Sequence, residues 1–98
     1  MDKNLMPVLS MLQTGETFKV YEVTGKAGMA MPPHHSTKEA VVNVKEGKAI
    51  LSIQEKKHLL EKGSVFIIPA GQSHYLELVE EFKAIVIMEN DSNIEFEV

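Results

Sequence analysis

The segment that most constrains this chain covers residues 63–78, with the sequence GSVFIIPAGQSHYLEL. Residues 64–68 are a short apolar run of strand length, and residues 69–71 form a tight corner before a second strand begins at His74. Because side chains alternate along a strand, His74 shares a face with Leu76 and Leu78. The sequence therefore places an imidazole on an apolar face, where it needs a polar partner.

Turn-forming residues divide most of the remaining chain into segments of strand length. They occur at Gly15, residues 25–28, Pro32 and Pro33, Gly47 and residues 90–93. The segments between the turns predict strands at residues 18–23, 40–44, 49–53, 64–68, 74–79, 82–88 and 94–98. Regular spacing of this kind is typical of an all-β sandwich or barrel.

Two segments are harder to assign from their pattern. Residues 54–62, QEKKHLLEK, are rich in helix formers. So short a segment without caps would make a marginal helix, and we predict a hairpin turn around residues 55–57 instead. The first dozen residues include LMPVLSML, which fits either an edge strand or a short helical turn that begins after Pro7.

The composition excludes several classes of partner. The 98 residues suffice for a single domain, and a net charge of −4 without a basic cluster argues against nucleic acid and anionic membranes. Because the chain has no cysteine, any metal would have to be held by nitrogen and oxygen ligands. We expect no nucleotide cofactor, since no glycine-rich phosphate loop is present. The first sixteen residues fit neither a signal peptide nor a membrane span, so we expect a cytoplasmic protein.

The spacing of glycine, proline and histidine within residues 63–78 resembles the second conserved motif of the cupins. Its positions are filled by Gly63, Pro69, Gly71 and His74, while Leu78 stands where that family usually has asparagine. Upstream, Gly28, His34 and Gly47 are similar to the frame of the first cupin motif. The resemblance covers residues 16–89. It implies a small single-domain cupin over residues 1–98, an antiparallel double-stranded β-helix or jelly-roll barrel, in which residues 1–15 are an N-terminal segment.

The resemblance also implies a metal site built from histidines and a carboxylate, and two alignments of residues 32–47 compete for the first motif. If Gly47 is held to the family frame, the ligand positions become His34, Ser36 and Ala40. If the acid is Glu39 instead, the set becomes His35, Glu39 and His74, which has two histidines and one carboxylate.

Side-chain alternation favours the first alignment. Ala40, Val42 and Val44 form the apolar face of the following strand, which turns Glu39 outward. A bulge after the paired prolines would turn Glu39 back toward the interior, so both alignments remain open. The candidate metal ligands are therefore His34, His74, His35 and Glu39.

Two functions follow from the resemblance. The first is a stand-alone protein that binds a small molecule, with an incomplete ligand set for a divalent metal. The second is a metal-dependent enzyme, an oxygenase or isomerase, that holds iron, manganese, nickel or zinc at a His/His/Glu site. In both cases the candidate pocket residues are Ser36, Met29, Met31, Phe66 and Met88, of which the apolar ones also fit ordinary core positions.

The N-terminal segment predicts a homodimer. Its apolar side chains precede the predicted strand at residues 18–23, and a barrel of this size cannot cover all of them: Leu5, Met6, Val8, Leu9, Met11 and Leu12. Small cupins often pair two barrels through such a segment, together with the C-terminal strand.

Overall fold

The computed structural model describes residues 6–97 and contains ten β-strands in this range. The strands are β1 (Val8–Thr14), β2 (Phe18–Gly25), β3 (Ala30–Ser36), β4 (Ala40–Glu46), β5 (Lys48–Ile53), β6 (Lys56–Glu61), β7 (Val65–Ile68), β8 (His74–Leu78), β9 (Phe82–Glu89) and β10 (Ile94–Phe96). The described residues form no helix, and so none long enough to cross a membrane. The predicted all-β fold is confirmed.

The strands form two five-stranded antiparallel sheets. The first sheet has the order β1-β2-β9-β4-β7, and the second sheet has the order β10-β3-β8-β5-β6. Consecutive strands repeatedly change sheet, as in a jelly roll, so the two motif segments end up in neighbouring strands β3 and β8.

The core lies between the two sheets and follows from side-chain alternation. In β4 the buried residues are Ala40, Val42 and Val44, as the sequence predicts, and in β5 every second residue is likewise buried. Leu51 and Leu78 are among the largest fully buried side chains. One face of each sheet therefore packs on the shared core while the other face points away from it.

The paired prolines do not form the turn that the sequence predicts. Pro32 and Pro33 lie inside β3, where the pairing with β8 shifts register between Met31 and His34. Proline cannot donate a backbone hydrogen bond, and an irregularity of this kind is where a strand tolerates it. The shift sets which side of β3 each following histidine faces.

The hairpin predicted in residues 54–62 is confirmed, with its turn at residues 54–55 instead of 55–57. The reversal uses Gln54 and Glu55, whose positive φ angles of 53° and 64° suit a two-residue hairpin turn. Strand β6 begins immediately afterwards at Lys56 and pairs with β5 over its whole length. Pairing with the neighbouring strand therefore outweighs the helix propensity of these residues.

The N-terminal segment is an edge strand, which answers the choice left open by its sequence. Strand β1 pairs with β2 at the edge of the first sheet, with Val8, Met11 and Leu12 exposed and Leu9 partly buried against the core. Leu5 lies outside the described residues. At the other end of the chain, β10 is shorter than predicted and stops at Phe96.

Candidate functional site

His34 and His74 meet at the centre of the second sheet. The two residues are direct partners across the β3–β8 pairing, so their side chains leave the sheet on the same face. Their ring centroids lie 4.1 Å apart in an edge-to-face arrangement, and each residue is only 6% exposed. The bulge at the prolines and the corner before β8 thus bring two buried imidazoles into contact.

The corner is tied to the site by its backbone. The amide of Gly71, whose φ of 72° favours glycine, donates a hydrogen bond of 2.7 Å to the carbonyl of Ser36 at the end of β3. This bond joins the two motif segments just beyond the histidine pair. The glycine therefore fixes where His74 enters the sheet.

Backbone hydrogen bonds determine which nitrogen of each ring carries the proton. The Nδ1 of His34 lies 2.7 Å from the carbonyl oxygen of Pro32, and the Nδ1 of His74 lies 3.0 Å from that of Gln72. A carbonyl oxygen only accepts, so each Nδ1 must donate. In the neutral ring the Nε2 is then an unprotonated acceptor, and among residues 6–97 neither Nε2 has a hydrogen-bond partner.

Burial keeps both rings neutral. It lowers the pKa of His34 and of His74 below the usual value of 6.5, and this effect outweighs the hydrogen bonds to the carbonyl groups, which act in the opposite direction. For His74 the nearby ring of His34 lowers the pKa further. At neutral pH the site thus presents two imidazole lone pairs without a positive charge.

The histidines open onto a cavity of about 60 Å³ between the two sheets. Its polar lining consists of His34, His74 and Ser36, of which Ser36 is 3% exposed. The rest of the lining is apolar and includes Met31, Met88, Leu51, Val42, Ile68 and Ile94. No lining residue in the described part of the chain carries a formal charge at neutral pH. Such a site can bind a hydrogen-bond donor or a cation through nitrogen, surrounded by hydrocarbon.

His35 and Glu39 lie outside this cavity. The ring of His35 points the other way, with Nε2 3.2 Å from Glu95 and Nδ1 3.1 Å from Glu97. The side chain of Glu39 is exposed, as alternation predicts. The second alignment therefore does not assemble its set of His35, Glu39 and His74. Within residues 6–97 no three His, Cys, Asp or Glu side chains are grouped so that they could hold a metal ion.

Some of the residues predicted to line the pocket reach the cavity and others do not. Met31 and Met88 line the cavity together with Ser36. Met29 and Phe66 do not line it, and both pack against the core elsewhere. The ring of Phe66 lies 4.9 Å from that of His58, near the β5–β6 hairpin. Met29 precedes β3, and Phe66 lies in β7 together with Ile68, which does line the cavity.

Strand β10 helps to build the site, a contribution that the sequence analysis did not predict. Ile94 lines the cavity, and the ring of Phe96 lies 5.1 Å from that of His34. Glu97 accepts a hydrogen bond of 2.8 Å from Ser73, beside His74, and its pKa is lowered by this bond and by His35. The alternation of Ile94 and Phe96 with two glutamates was the available signal, because it marks one face as apolar.

Comparisons with known proteins agree with this architecture. The family model described as Cupin domain matches residues 20–88. Among solved structures, a cupin superfamily protein from Desulfitobacterium hafniense has a TM-score of 0.80 at 16% identity, with 93% of this chain and 83% of that chain covered. A cupin-like protein from Thermotoga maritima has a TM-score of 0.77 at 25% identity, with 87% and 72% covered. A polyketide cyclase from Streptomyces resistomycificus has a TM-score of 0.76 at 19% identity, with 86% and 63% covered. No curated protein sequence matches the chain.

Proposed function

The chain belongs to the cupin domain family, and we propose that it binds a small molecule in the cavity between its sheets, in contact with His34 and His74. One observation carries the proposal: two buried imidazoles, each with its Nδ1 bonded to a backbone carbonyl, line a cavity whose remaining wall is apolar apart from Ser36. A ligand that enters the cavity can donate a hydrogen bond to either Nε2, and each bond formed favours binding. A concave apolar site with a few convergent polar atoms is also the usual form of a ligand pocket.

Methionine methyl groups provide a direct test. Met31 and Met88 line the cavity, whereas Met6 and Met11 are exposed, so one labelled protein contains both reporters and controls. We expect fragments of a few non-hydrogen atoms to shift the ¹³C-methyl resonances of Met31 and Met88 and to leave those of Met6 and Met11 unchanged. If no fragment moves the two cavity methyls, or if all four move together, the proposal fails.

A second candidate is binding of a divalent metal at the same pair. Histidines that bind metals commonly donate their other ring nitrogen to a backbone carbonyl, which is the arrangement of His34 and His74. The donors here are two imidazole nitrogens and the hydroxyl of Ser36, without a carboxylate, so they fit a weakly held ion of iron, manganese, nickel or zinc. When bound, such an ion would polarise a substrate oxygen, as the enzyme alternative requires.

Two variants test the metal candidate: His74→Ala removes a cavity histidine, and Glu39→Ala removes the carboxylate of the second alignment. The protein is stripped with EDTA and dialysed to equilibrium against Zn²⁺, Mn²⁺, Fe²⁺ or Ni²⁺, and the metal bound in excess of the dialysate is measured. We expect His74→Ala to abolish metal binding and Glu39→Ala to leave it unchanged, because Glu39 is exposed outside the cavity. Metal binding that depends on Glu39, or that survives His74→Ala, would contradict this placement of the site.

A further inference from the structure

The polarity of the histidine pair restricts which molecules the cavity accepts. We propose that it binds small uncharged molecules that donate a hydrogen bond, such as alcohols, in preference to acceptors and anions of the same shape. This inference rests on the proposed function, because it specifies the ligand class of the same site.

The hydrogen bonds of the two rings leave only acceptor nitrogens for a ligand. Both Nδ1 atoms are already committed as donors to Pro32 and Gln72, so each neutral ring presents a lone pair on Nε2. Both rings line the cavity, and their centroids lie 4.1 Å apart. A hydroxyl or amine can donate a hydrogen to either lone pair, whereas a carbonyl oxygen has no hydrogen to donate and is repelled by it.

The charge of the cavity lining also favours uncharged ligands. The lining contains no Lys or Arg within the described residues, and its remaining surface is hydrocarbon. An anion would lose its hydration without gaining a counter-charge, which makes its binding unfavourable. The hydroxyl of Ser36 can donate a hydrogen bond to the oxygen of a bound alcohol.

The volume of the cavity limits the size of the ligand. The cavity of about 60 Å³ is far below the volumes of pockets for drug-sized ligands, which are roughly 300–1,000 Å³. Probes with four non-hydrogen atoms are therefore appropriate. The matched series is 2-propanol, which donates and accepts, acetone, which only accepts, and acetate, which is anionic.

The experiment titrates each probe into metal-free protein labelled at the methionine methyl groups and at the histidine nitrogens. We expect 2-propanol to bind at least about tenfold more tightly than acetone, since a buried acceptor left unpaired is penalised. Acetate should not move the resonances of Met31 and Met88. In the variant Ser36→Ala the preference should persist, because the proposal assigns it to the histidines.

The outcomes separate this inference from the proposed function. Equal affinities for all three probes, or tighter binding of acetone or acetate, would overturn the donor preference while leaving ligand binding in place. If no probe reaches Met31 and Met88 at any concentration that preserves the fold, both statements fall. The variant His74→Leu should reduce the preference, and His58→Leu, outside the cavity, is the matched control.

Discussion

Acidification should destabilise this protein through the two cavity histidines. Burial lowers the pKa of His34 and of His74 in the folded protein, whereas in the unfolded chain each returns to about 6.5. Between the folded and unfolded pKa values the unfolded state binds more protons, so the free energy of unfolding rises with pH in that window. The contribution of the two neutral rings to the free energy of unfolding is complete above pH ~6.5 and is lost as the pH falls through their folded-state pKa values.

The magnitude follows from proton linkage. Each group that is neutral when folded and protonated when unfolded contributes at most about 1.4 kcal/mol per pH unit, so the pair gives a limiting slope of about 2.7 kcal/mol per unit below pH 6.5. Glu97 titrates in a lower range, because Ser73 and His35 lower its pKa. The histidine effect can therefore be measured between about pH 5.5 and 6.5, before the carboxylates begin to titrate.

The assay is urea unfolding of EDTA-treated protein at several pH values from 5.5 to 7.5. We expect a steep loss of stability below pH 6.5 in the wild type, a shallower one in His34→Gln or His74→Gln, and a wild-type slope in the control His58→Gln. A wild-type slope near zero, or one that both cavity variants leave unchanged, would refute the claim that the fold holds these two rings neutral.

Three further results are expected. Replacing Gly47 with alanine should cost about 2 kcal/mol or more, because its φ is 83° and the added Cβ would collide with the carbonyl oxygen of Glu81. The control Gly28→Ala, at a φ of 93° with open space around it, should cost about 1 kcal/mol for backbone strain alone. If thermal unfolding shows the same loss of stability in both variants, the collision at Gly47 is refuted. Leu51→Ala should cost about 2–5 kcal/mol in urea unfolding, whereas the exposed Leu59→Ala should change stability by less than about 0.5 kcal/mol; similar values would mean that Leu51 is not a core residue. His35→Gln should leave the methyl shifts caused by 2-propanol unchanged, since His35 faces Glu95 and Glu97, and an altered response would place it at the cavity.

Local patterns predicted much of this fold because most strands are marked by alternation and bounded by turns. The buried residues of β4 follow from alternation in the sequence alone, and the two motif segments were identified from the positions of their glycine, proline and histidine residues. Where prediction failed, a long-range contact decided the outcome. Residues 56–61 form strand β6 because they pair with β5. Strand β3 continues across Pro32 and Pro33, which locally favour a turn, because it pairs with β8 on both sides of them.

The site was predictable to the extent that its residues lie on regular strands. Alternation placed His74 inward and Glu39 outward, and the structure has both in those positions. It could not choose between His34 and His35, because that choice depends on the register shift at the prolines. The contribution of Ile94 and Phe96 was missed for a similar reason, since the pairing of β10 with β3 joins parts of the chain far apart in sequence.

The most direct test of the account is the protonation of the two cavity imidazoles. Nitrogen-15 NMR of metal-free protein near pH 7.5, with resonances assigned through His34→Gln and His74→Gln, distinguishes a protonated ring nitrogen from an unprotonated one. We expect both rings to carry their proton on Nδ1, bonded to the carbonyl groups of Pro32 and Gln72, with Nε2 unprotonated. A proton on Nε2 of either ring, or a charged ring at this pH, would contradict it.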